Sequence, residues 1–128
     1  MEFKYNDGGR SKYFKGKTGD CVTRAIAIAT NKDYKEVYDE VWKLTKHSPR
    51  DGTKKKETKM LMEHFGFKWQ SCMSIGTGCK VHLRKEELPK GTIVVRLTGH
   101  LCCVKDGVIN DTFDCSRNET RCVYGYWY

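Results

Sequence analysis

The order of hydrophobic patterns along the chain predicts an α+β fold in which N-terminal helices pack on a C-terminal antiparallel sheet. In the first half, apolar residues recur at helical spacing, whereas after Gly66 the period changes to two, the repeat of a half-buried strand. The Asp106-Gly107 pair between two apolar runs is a strong signal of a two-residue hairpin. Because the helices precede the strands and do not alternate with them, the pattern favours α+β over α/β.

The length and composition are those of a single folded domain. With 128 residues, of which 38% are hydrophobic and 12% aromatic, the chain can bury one core, and we expect one domain over residues 1–128. No apolar run approaches the roughly 18 residues that a membrane helix needs. The polar start of the chain, Met1 to Tyr5, does not fit a signal peptide. We therefore expect a soluble, cytoplasmic protein.

Two helices are expected between residues 20 and 47. The first begins at Asp20 and Cys21, with Asp20 as its N-cap, and ends at Asn31; residues 25–29 are nearly all apolar, which indicates a buried helix. The second begins at Asp33, where Glu36 completes a capping-box pattern. Its apolar face holds Tyr34, Val37, Tyr38, Val41 and Trp42.

A third helix is expected from Lys55 to His64, with Gly66 as its C-terminal stop. Strands are then expected at residues 67–70, 92–97, 100–105 and 108–113, with a short turn at 85–89 and one short strand within the loop-rich residues 1–19. Residues 122–127 are expected to close the chain as an edge strand.

The net charge is +8, and part of it is concentrated in one polar stretch. That stretch holds Arg50, Lys54, Lys55, Lys56 and Lys59. Such a run is typical of a solvated loop or helix entry and less often of a patch that binds an anionic partner. The positive charge permits contact with nucleic acid but does not establish it.

Seven cysteines are present, and without an export signal we do not expect a disulfide framework. Cys72, Cys79 and His82 lack the close cysteine pair of structural zinc sites. The adjacent Cys102 and Cys103 point to opposite faces of a strand and cannot easily share a metal. We therefore expect most of these thiols to pack in the core, and we expect no metal and no other cofactor.

Cys21 is the candidate nucleophile. It lies at the predicted start of a buried helix, where free N–H groups and the helix dipole favour a thiolate. Arg24, one turn later, adds positive charge, whereas Asp20 opposes it. A thiol nucleophile needs a base within hydrogen-bond reach, normally a histidine.

His100 is favoured as that base, because among the four histidines it opens a strand in the β half. The predicted hairpin register places Cys102 opposite Asp111, so that Asp111 becomes the diagonal neighbour of His100 on one sheet face. A one-residue slip would bring Asn110 or Asp114 into that role. Cys102 shares the face of His100 and is expected near the site.

The order of these residues resembles that of papain-like cysteine peptidases, which have a cysteine at the start of a buried helix, a histidine on a central strand and Asn or Asp on the next strand. More narrowly, residues 19–30 (GDCVTRAIAIAT), 78–84 (GCKVHLR) and 107–114 (GVINDTFD) look like those of a small group of bacterial and phage papain-like proteins. The resemblance spans Asn6 to Trp127. It implies a minimal papain-like fold with Cys21 as nucleophile, His100 as base and Asp111 as the residue that orients it. If the chain is phage-encoded, its compartment is the host cytoplasm.

One feature departs from the papain-like pattern. Those enzymes usually carry a Gln shortly before the cysteine, whose amide helps to stabilise the oxyanion, and residues 1–20 contain none. The Cys21 N–H could supply one donor. Asn6, Thr18 and Arg24 are the candidates for further support.

The resemblance implies a thiol hydrolase, that is a peptidase, isopeptidase or amidase, acting through a Cys-His-Asp triad and an acyl-enzyme. A protein or peptide substrate is favoured over nucleic acid. The alternative is a catalytically weak or inactive papain-like module that binds a host protein or nucleic acid through its basic surface. The missing Gln and the charge of +8 favour that alternative.

Overall fold

Three helices and a six-stranded mixed sheet make up the computed structural model, which describes residues 1–128 and confirms the α+β class. The helices are α1 (Cys21–Thr30), α2 (Tyr34–Thr45) and α3 (Lys55–His64). The strands are β1 (Glu2–Tyr5), β2 (Trp69–Ser71), β3 (Thr92–Leu97), β4 (His100–Lys105), β5 (Val108–Asp111) and β6 (Gly125–Trp127). No helix has the length and apolar character needed to cross a membrane.

The strand order is β1-β5-β4-β3-β6-β2, and it corrects two expectations. The sheet is mixed and not antiparallel, because β1 pairs with β5 in parallel, with Tyr5 beside Asp111. The helices lie between these two strands in the chain and provide the long connection that a parallel pair needs. The prediction of an edge strand at residues 122–127 is wrong: β6 lies between β3 and β2, and β2 is the edge strand.

The helices begin and end close to where the sequence predicts. Seven of the ten residues of α1 are buried, and Asn31 ends the helix in the left-handed conformation at φ 56°. Asp33 caps α2 by accepting the Glu36 N–H at 3.3 Å. At the start of α3 the Glu57 carboxylate accepts the Lys54 N–H at 2.8 Å, a bond that was not predicted from the sequence pattern.

The sheet separates two hydrophobic clusters. On the helix face, α1, α2 and α3 pack against Val94, Leu101 and Trp127. On the opposite face, Ile93, Val95 and Leu97 of β3 join residues of β4, β5 and the loops that precede and follow the central strands. The alternation along β3 therefore sets Val94 and Arg96 toward the helices.

The hairpin between β4 and β5 forms as expected. Asp106 and Gly107 both have positive φ, 48° and 79°, which is the geometry of a type I′ turn. Lys105 pairs with Val108, and the register continues to Cys103 and Asn110. β5 ends at residue 111, two residues earlier than predicted, where the Asp111 carboxylate accepts the N–H of residue 112 at 2.7 Å.

One disulfide is present, contrary to expectation. Cys79 and Cys122 are bonded, with their Cα atoms 5.8 Å apart. An antiparallel bridge between His82 and Cys122 brings the two segments side by side, a pairing between distant parts of the chain that the sequence does not reveal. The other five cysteines are free thiols.

Candidate functional site

The structure brings Cys21, His100 and Asp111 together at one end of the sheet. Cys21 is the first residue of α1, which packs on β4; His100 opens β4, and Asp111 ends the neighbouring β5. Cys21 and His100 line a cavity of about 350 Å³ whose wall also includes Arg24 and Phe113. The Phe113 ring lies 5.1 Å from the His100 ring, between centroids.

Asp111 is the carboxylate that holds His100. The His100 Nε2 and Asp111 Oδ2 atoms are 2.6 Å apart, and the Asp111 side chain is only 3% exposed. The two alternatives that a register slip would have favoured are engaged elsewhere: the Asn110 amide bonds with Asn6 and the Val108 carbonyl, and Asp114 accepts the backbone N–H of residue 116. Besides Asp111, two thiols contact the His100 imidazole, those of Cys115 and Cys21.

The charges of the site favour a thiolate beside an imidazolium. Burial opposes ionisation of Cys21, but the hydrogen bond with His100, the Leu101 N–H and the charges of His100 and Arg24 together lower the pKa of the thiol. For His100, burial acts to lower the pKa, but the hydrogen bonds with Asp111, Cys115 and Cys21 outweigh it and raise the pKa to about 11. The two shifts support each other, because each charged group is the partner of the other.

A buried ionic network lies directly below the nucleophile. The expectation that Asp20 caps α1 is wrong, since its side chain accepts no helix N–H. Asp20 is 1% exposed and instead contacts Arg10, Arg24 and the Tyr34 hydroxyl. Arg24 also reaches Asp111, with 3.6 Å between Nη2 and Oδ1. This network compensates the Asp20 charge, which was expected from the sequence to oppose a thiolate.

The three candidates for oxyanion support are otherwise engaged. Asn6 is outside the cavity: its Nδ2 donates to Asn110 and its Oδ1 accepts the Gly8 N–H. Thr18 lines the cavity, but its hydroxyl donates to the Arg50 carbonyl at 3.1 Å. Arg24 also lines the cavity, but it is committed to the two buried carboxylates. Among the three, only the Arg24 Nε–H has no hydrogen-bond partner, and it is buried.

Backbone donors are present at the start of α1. The first N–H of the helix with a backbone acceptor is that of Arg24, which bonds to the Asp20 carbonyl at 3.0 Å. The preceding N–H groups, those of Cys21, Val22 and Thr23, lack an intrahelical acceptor, as is general for the first turn of a helix. Because the Asp20 side chain is drawn into the ionic network, it does not cap them.

A second thiol approaches His100 from inside the protein. Cys115 is 1% exposed, and its sulfur lies 3.4 Å from that of Cys102. The hydrogen bond with Cys102 and the His100 imidazole lower the pKa of Cys115, whereas the same pairing and burial raise that of Cys102. Cys102, which was expected near the site, therefore contacts Cys115, whose thiol in turn contacts the His100 imidazole.

The residues that could hold a metal ion belong to this same cluster. Donor atoms of His100, Asp111 and Cys115 all lie within 4.8 Å of one another. Coordination there would compete with the hydrogen bond between His100 and Asp111. The other set considered, Cys72, Cys79 and His82, does not supply two thiolates, because Cys79 is disulfide-bonded.

The basic stretch divides between two environments. The Arg50 guanidinium lies 5.4 Å above the Phe14 ring, and Lys54 precedes α3. Lys55, Lys56 and Lys59 line a second cavity, away from Cys21. Arg96, a cation within the apolar strand β3, lines both cavities and was not predicted as a site residue. The signal that could have identified Arg96 is a cation within an otherwise apolar strand, on the face that packs against the helices.

No protein-family model, curated protein or solved structure matches the chain.

Proposed function

We propose that the chain is a papain-like thiol hydrolase that cleaves an amide or ester bond through Cys21, His100 and Asp111. The observation that supports this function is a thiol of lowered pKa that shares an open cavity with an imidazole held by a buried carboxylate. Nucleophile, base and orienting group are the three parts that acyl transfer through a thiol requires.

In the proposed first half-reaction, the Cys21 thiolate adds to the substrate carbonyl carbon, and the carbonyl π electrons move to oxygen. The tetrahedral oxyanion then collapses, the C–N bond breaks, and His100 transfers its proton to the leaving amine. The product is a thioester between the acyl group and Cys21. Asp111 stabilises the imidazolium and fixes the orientation of the ring throughout.

In the second half-reaction, neutral His100 removes a proton from water, and the resulting hydroxide adds to the thioester carbonyl. Collapse breaks the C–S bond, releases the carboxylic acid and restores the Cys21 thiolate beside the His100 imidazolium. Because no side-chain amide faces the sulfur, the oxyanion donors in this proposal are the N–H groups of Cys21 and Val22 at the start of α1.

Cys115 is the rival nucleophile, because it also contacts His100 and has a lowered pKa. Cys115 is only 1% exposed and does not line the cavity, whereas Cys21 is partly exposed and lines it. A substrate carbonyl can therefore reach Cys21 but not Cys115. This difference makes the assignment of the nucleophile testable.

The test is acylation by p-nitrophenyl acetate, a simple acyl donor. We expect a burst of p-nitrophenolate equal to the protein concentration, and an acetyl group on Cys21 in the peptide map. Cys21→Ser and His100→Gln should abolish the burst. Cys72→Ser, which removes a thiol whose pKa burial raises, is the matched control and should retain it. Acetylation that survives Cys21→Ser, or that maps to Cys115, would contradict the proposal.

A second candidate function is a catalytically inactive binding module of the same fold. The observation that favours it is that Asn6 and Thr18 are engaged and that no Asn or Gln lines the cavity, so the oxyanion lacks a side-chain amide donor. This module would show no burst with p-nitrophenyl acetate. Its biological effect would survive Cys21→Ser and be lost when the lysines at 55, 56 and 59 are neutralised.

A further inference from the structure

A second and larger cavity, of about 660 Å³, lies on the helix-facing side of the sheet near the β2 edge. We call it the basic groove, and we define it by Lys55, Lys56, Lys59, Arg96, Trp69 and Trp127. Three of its cations lie on the first turns of α3, and the aromatic residues come from β2 and β6. Its volume is that of a site for a small ligand or a few residues of a chain.

The charge of the groove is uncompensated. No aspartate or glutamate lines it, and none of the three lysines or Arg96 forms an ion pair. Elsewhere in the protein exposed lysines do pair with carboxylates, as Lys35 does with Asp39. A concave surface with four unpaired cations favours an anionic occupant.

The aromatic floor is built around Gly125 of β6. A Cβ atom at Gly125 would overlap Cζ2 and Cη2 of Trp69, so the indole occupies the space above this glycine. The Trp69 and Trp127 rings are 4.7 Å apart, between centroids, and Trp69 is 40% exposed. The glycine thus leaves room for the partly exposed Trp69 indole to pack against the strand, where it offers apolar contact beside the cations.

The groove runs along an open strand edge. β2 pairs only with β6, and the Lys68 N–H and carbonyl both bond to Tyr128. By the alternation of an antiparallel pair, the backbone groups of Trp69 and Ser71 point away from β6 and toward the free edge. An extended peptide can bond to such an edge as an added strand.

Arg96 connects the groove with the candidate active site, because it lines both cavities. We propose that the basic groove docks an extended acidic segment of a protein substrate, with apolar side chains on Trp69 and carboxylates on the lysines of α3. The open strand edge favours a peptide over a nucleic acid, since only a peptide matches its backbone donors and acceptors. The inference rests on the proposed thiol hydrolase only for what happens to the segment after docking.

The test measures binding alone, with the full chain carrying Cys21→Ser. The probe is a fluorescein-labelled ten-residue peptide that alternates Glu and Leu, compared with the same peptide carrying Gln for Glu. We expect the acidic peptide to bind, seen as a rise in anisotropy. The affinity of the Gln peptide should be lower by roughly tenfold or by a larger factor. Binding should weaken steeply with added salt.

Two variants test whether this binding takes place in the groove. Lys56→Glu with Lys59→Glu should lower the affinity for the acidic peptide about tenfold, and Trp69→Ala should lower the affinity for both peptides. The matched control, Lys4→Glu with Lys12→Glu, makes the same charge change in two exposed lysines. Lys4 lies on β1, at the opposite edge of the sheet, and Lys12 ends a short 3₁₀ helix, Arg10–Lys12. This control should change affinity by less than about twofold.

Three results would overturn the proposal: no binding of the acidic peptide, equal weakening by the control pair, or tighter binding of a fluorescein-labelled ten-nucleotide oligo(dT). The last would assign the groove to single-stranded nucleic acid. Because the binding assay involves no bond cleavage, a negative result in it does not contradict the proposed acylation of Cys21. Failure of acylation, in turn, leaves the docking result intact. Circular dichroism of each variant checks that it is folded.

Discussion

Removing Arg24 should destabilise the protein far more than removing an exposed cation from a pair of the same helical spacing. Arg24 is 8% exposed and pairs with Asp20, four residues earlier, and with Asp111 at 3.6 Å. Arg24→Met keeps an unbranched side chain of similar length but leaves two buried carboxylates with one partner fewer. The matched control is Lys35→Met, which breaks the exposed i,i+4 pair with Asp39 on α2.

The expected magnitude follows from what remains around Asp20. Removing one partner of a buried ion pair costs about 3–5 kcal/mol when the other charge is left uncompensated. Asp20 retains Arg10 at 3.1 Å and the Tyr34 hydroxyl, so we expect the lower end, about 3 kcal/mol. For a domain of this size that is a fall in Tm of roughly 10 °C. Lys35→Met should cost less than about 1 kcal/mol.

Urea and thermal unfolding, followed by circular dichroism, measure both variants, and a double-mutant cycle with Asp20→Asn isolates the pair. We expect Asp20→Asn combined with Arg24→Met to cost at least about 1 kcal/mol less than the sum of the single changes. A cost for Arg24→Met no larger than that for Lys35→Met would refute a stabilising role for the network. So would strict additivity in the cycle.

Three further outcomes are expected. Asp111→Asn removes the charge that helps to raise the pKa of His100, so the NMR titration midpoint of that imidazole should move down from about 11 toward its ordinary value near 6.5; an unmoved midpoint would be inconsistent with the pair. Cys79→Ser with Cys122→Ser opens a loop of 43 residues and, by the chain-entropy relation, should lower the free energy of unfolding by about 4 kcal/mol. An unchanged free energy of unfolding would mean that the bond does not form. Gly107→Ala forces a side chain into φ 79° and against the Lys85 side chain, and it should cost about 1–2 kcal/mol in urea unfolding. A neutral result would contradict the type I′ turn.

The local features of the fold were predictable from the sequence because their signals are local. The Asp106-Gly107 turn sets the register of β4 and β5, and that register is enough to single out Asp111 as the partner of His100. The same holds for the positions of the three helices, whose apolar faces lie within each segment, and for the Asp33 cap of α2. Cys21 and His100, which the sequence order brought together as a candidate site, line one cavity.

What the sequence could not predict depends on pairing between distant segments. The parallel partner of β1 lies more than 100 residues later, at Val108 to Asp111, and nothing in residues 2–5 specifies it. The disulfide depends on the contact of two loops. The pattern at Asp20 predicts an N-cap, but the side chain has stronger partners in Arg10 and Tyr34, which only tertiary packing brings near.

The pH dependence of Cys21 alkylation is the most direct test of the thiolate–imidazolium pair on which the proposed function depends. An ordinary thiol with a pKa near 8.5 is only about 3% ionised at pH 7, so full ionisation raises the reactive fraction at most about thirtyfold. The lower intrinsic nucleophilicity of a low-pKa thiolate offsets part of this gain. Removing His100 should therefore slow the reaction at pH 7 by roughly three- to thirtyfold.

The measurement is the iodoacetamide rate at each free cysteine from pH 5 to pH 10, resolved by peptide mass spectrometry, for the wild-type chain and His100→Gln. We predict that Cys21 reacts fastest at pH 7, and that its rate falls only as the pH drops through a pKa below the ordinary thiol value. In His100→Gln the profile should move to higher pH. An unshifted profile in that variant, or a wild-type Cys21 that ionises like an ordinary thiol, would contradict the thiolate–imidazolium pair.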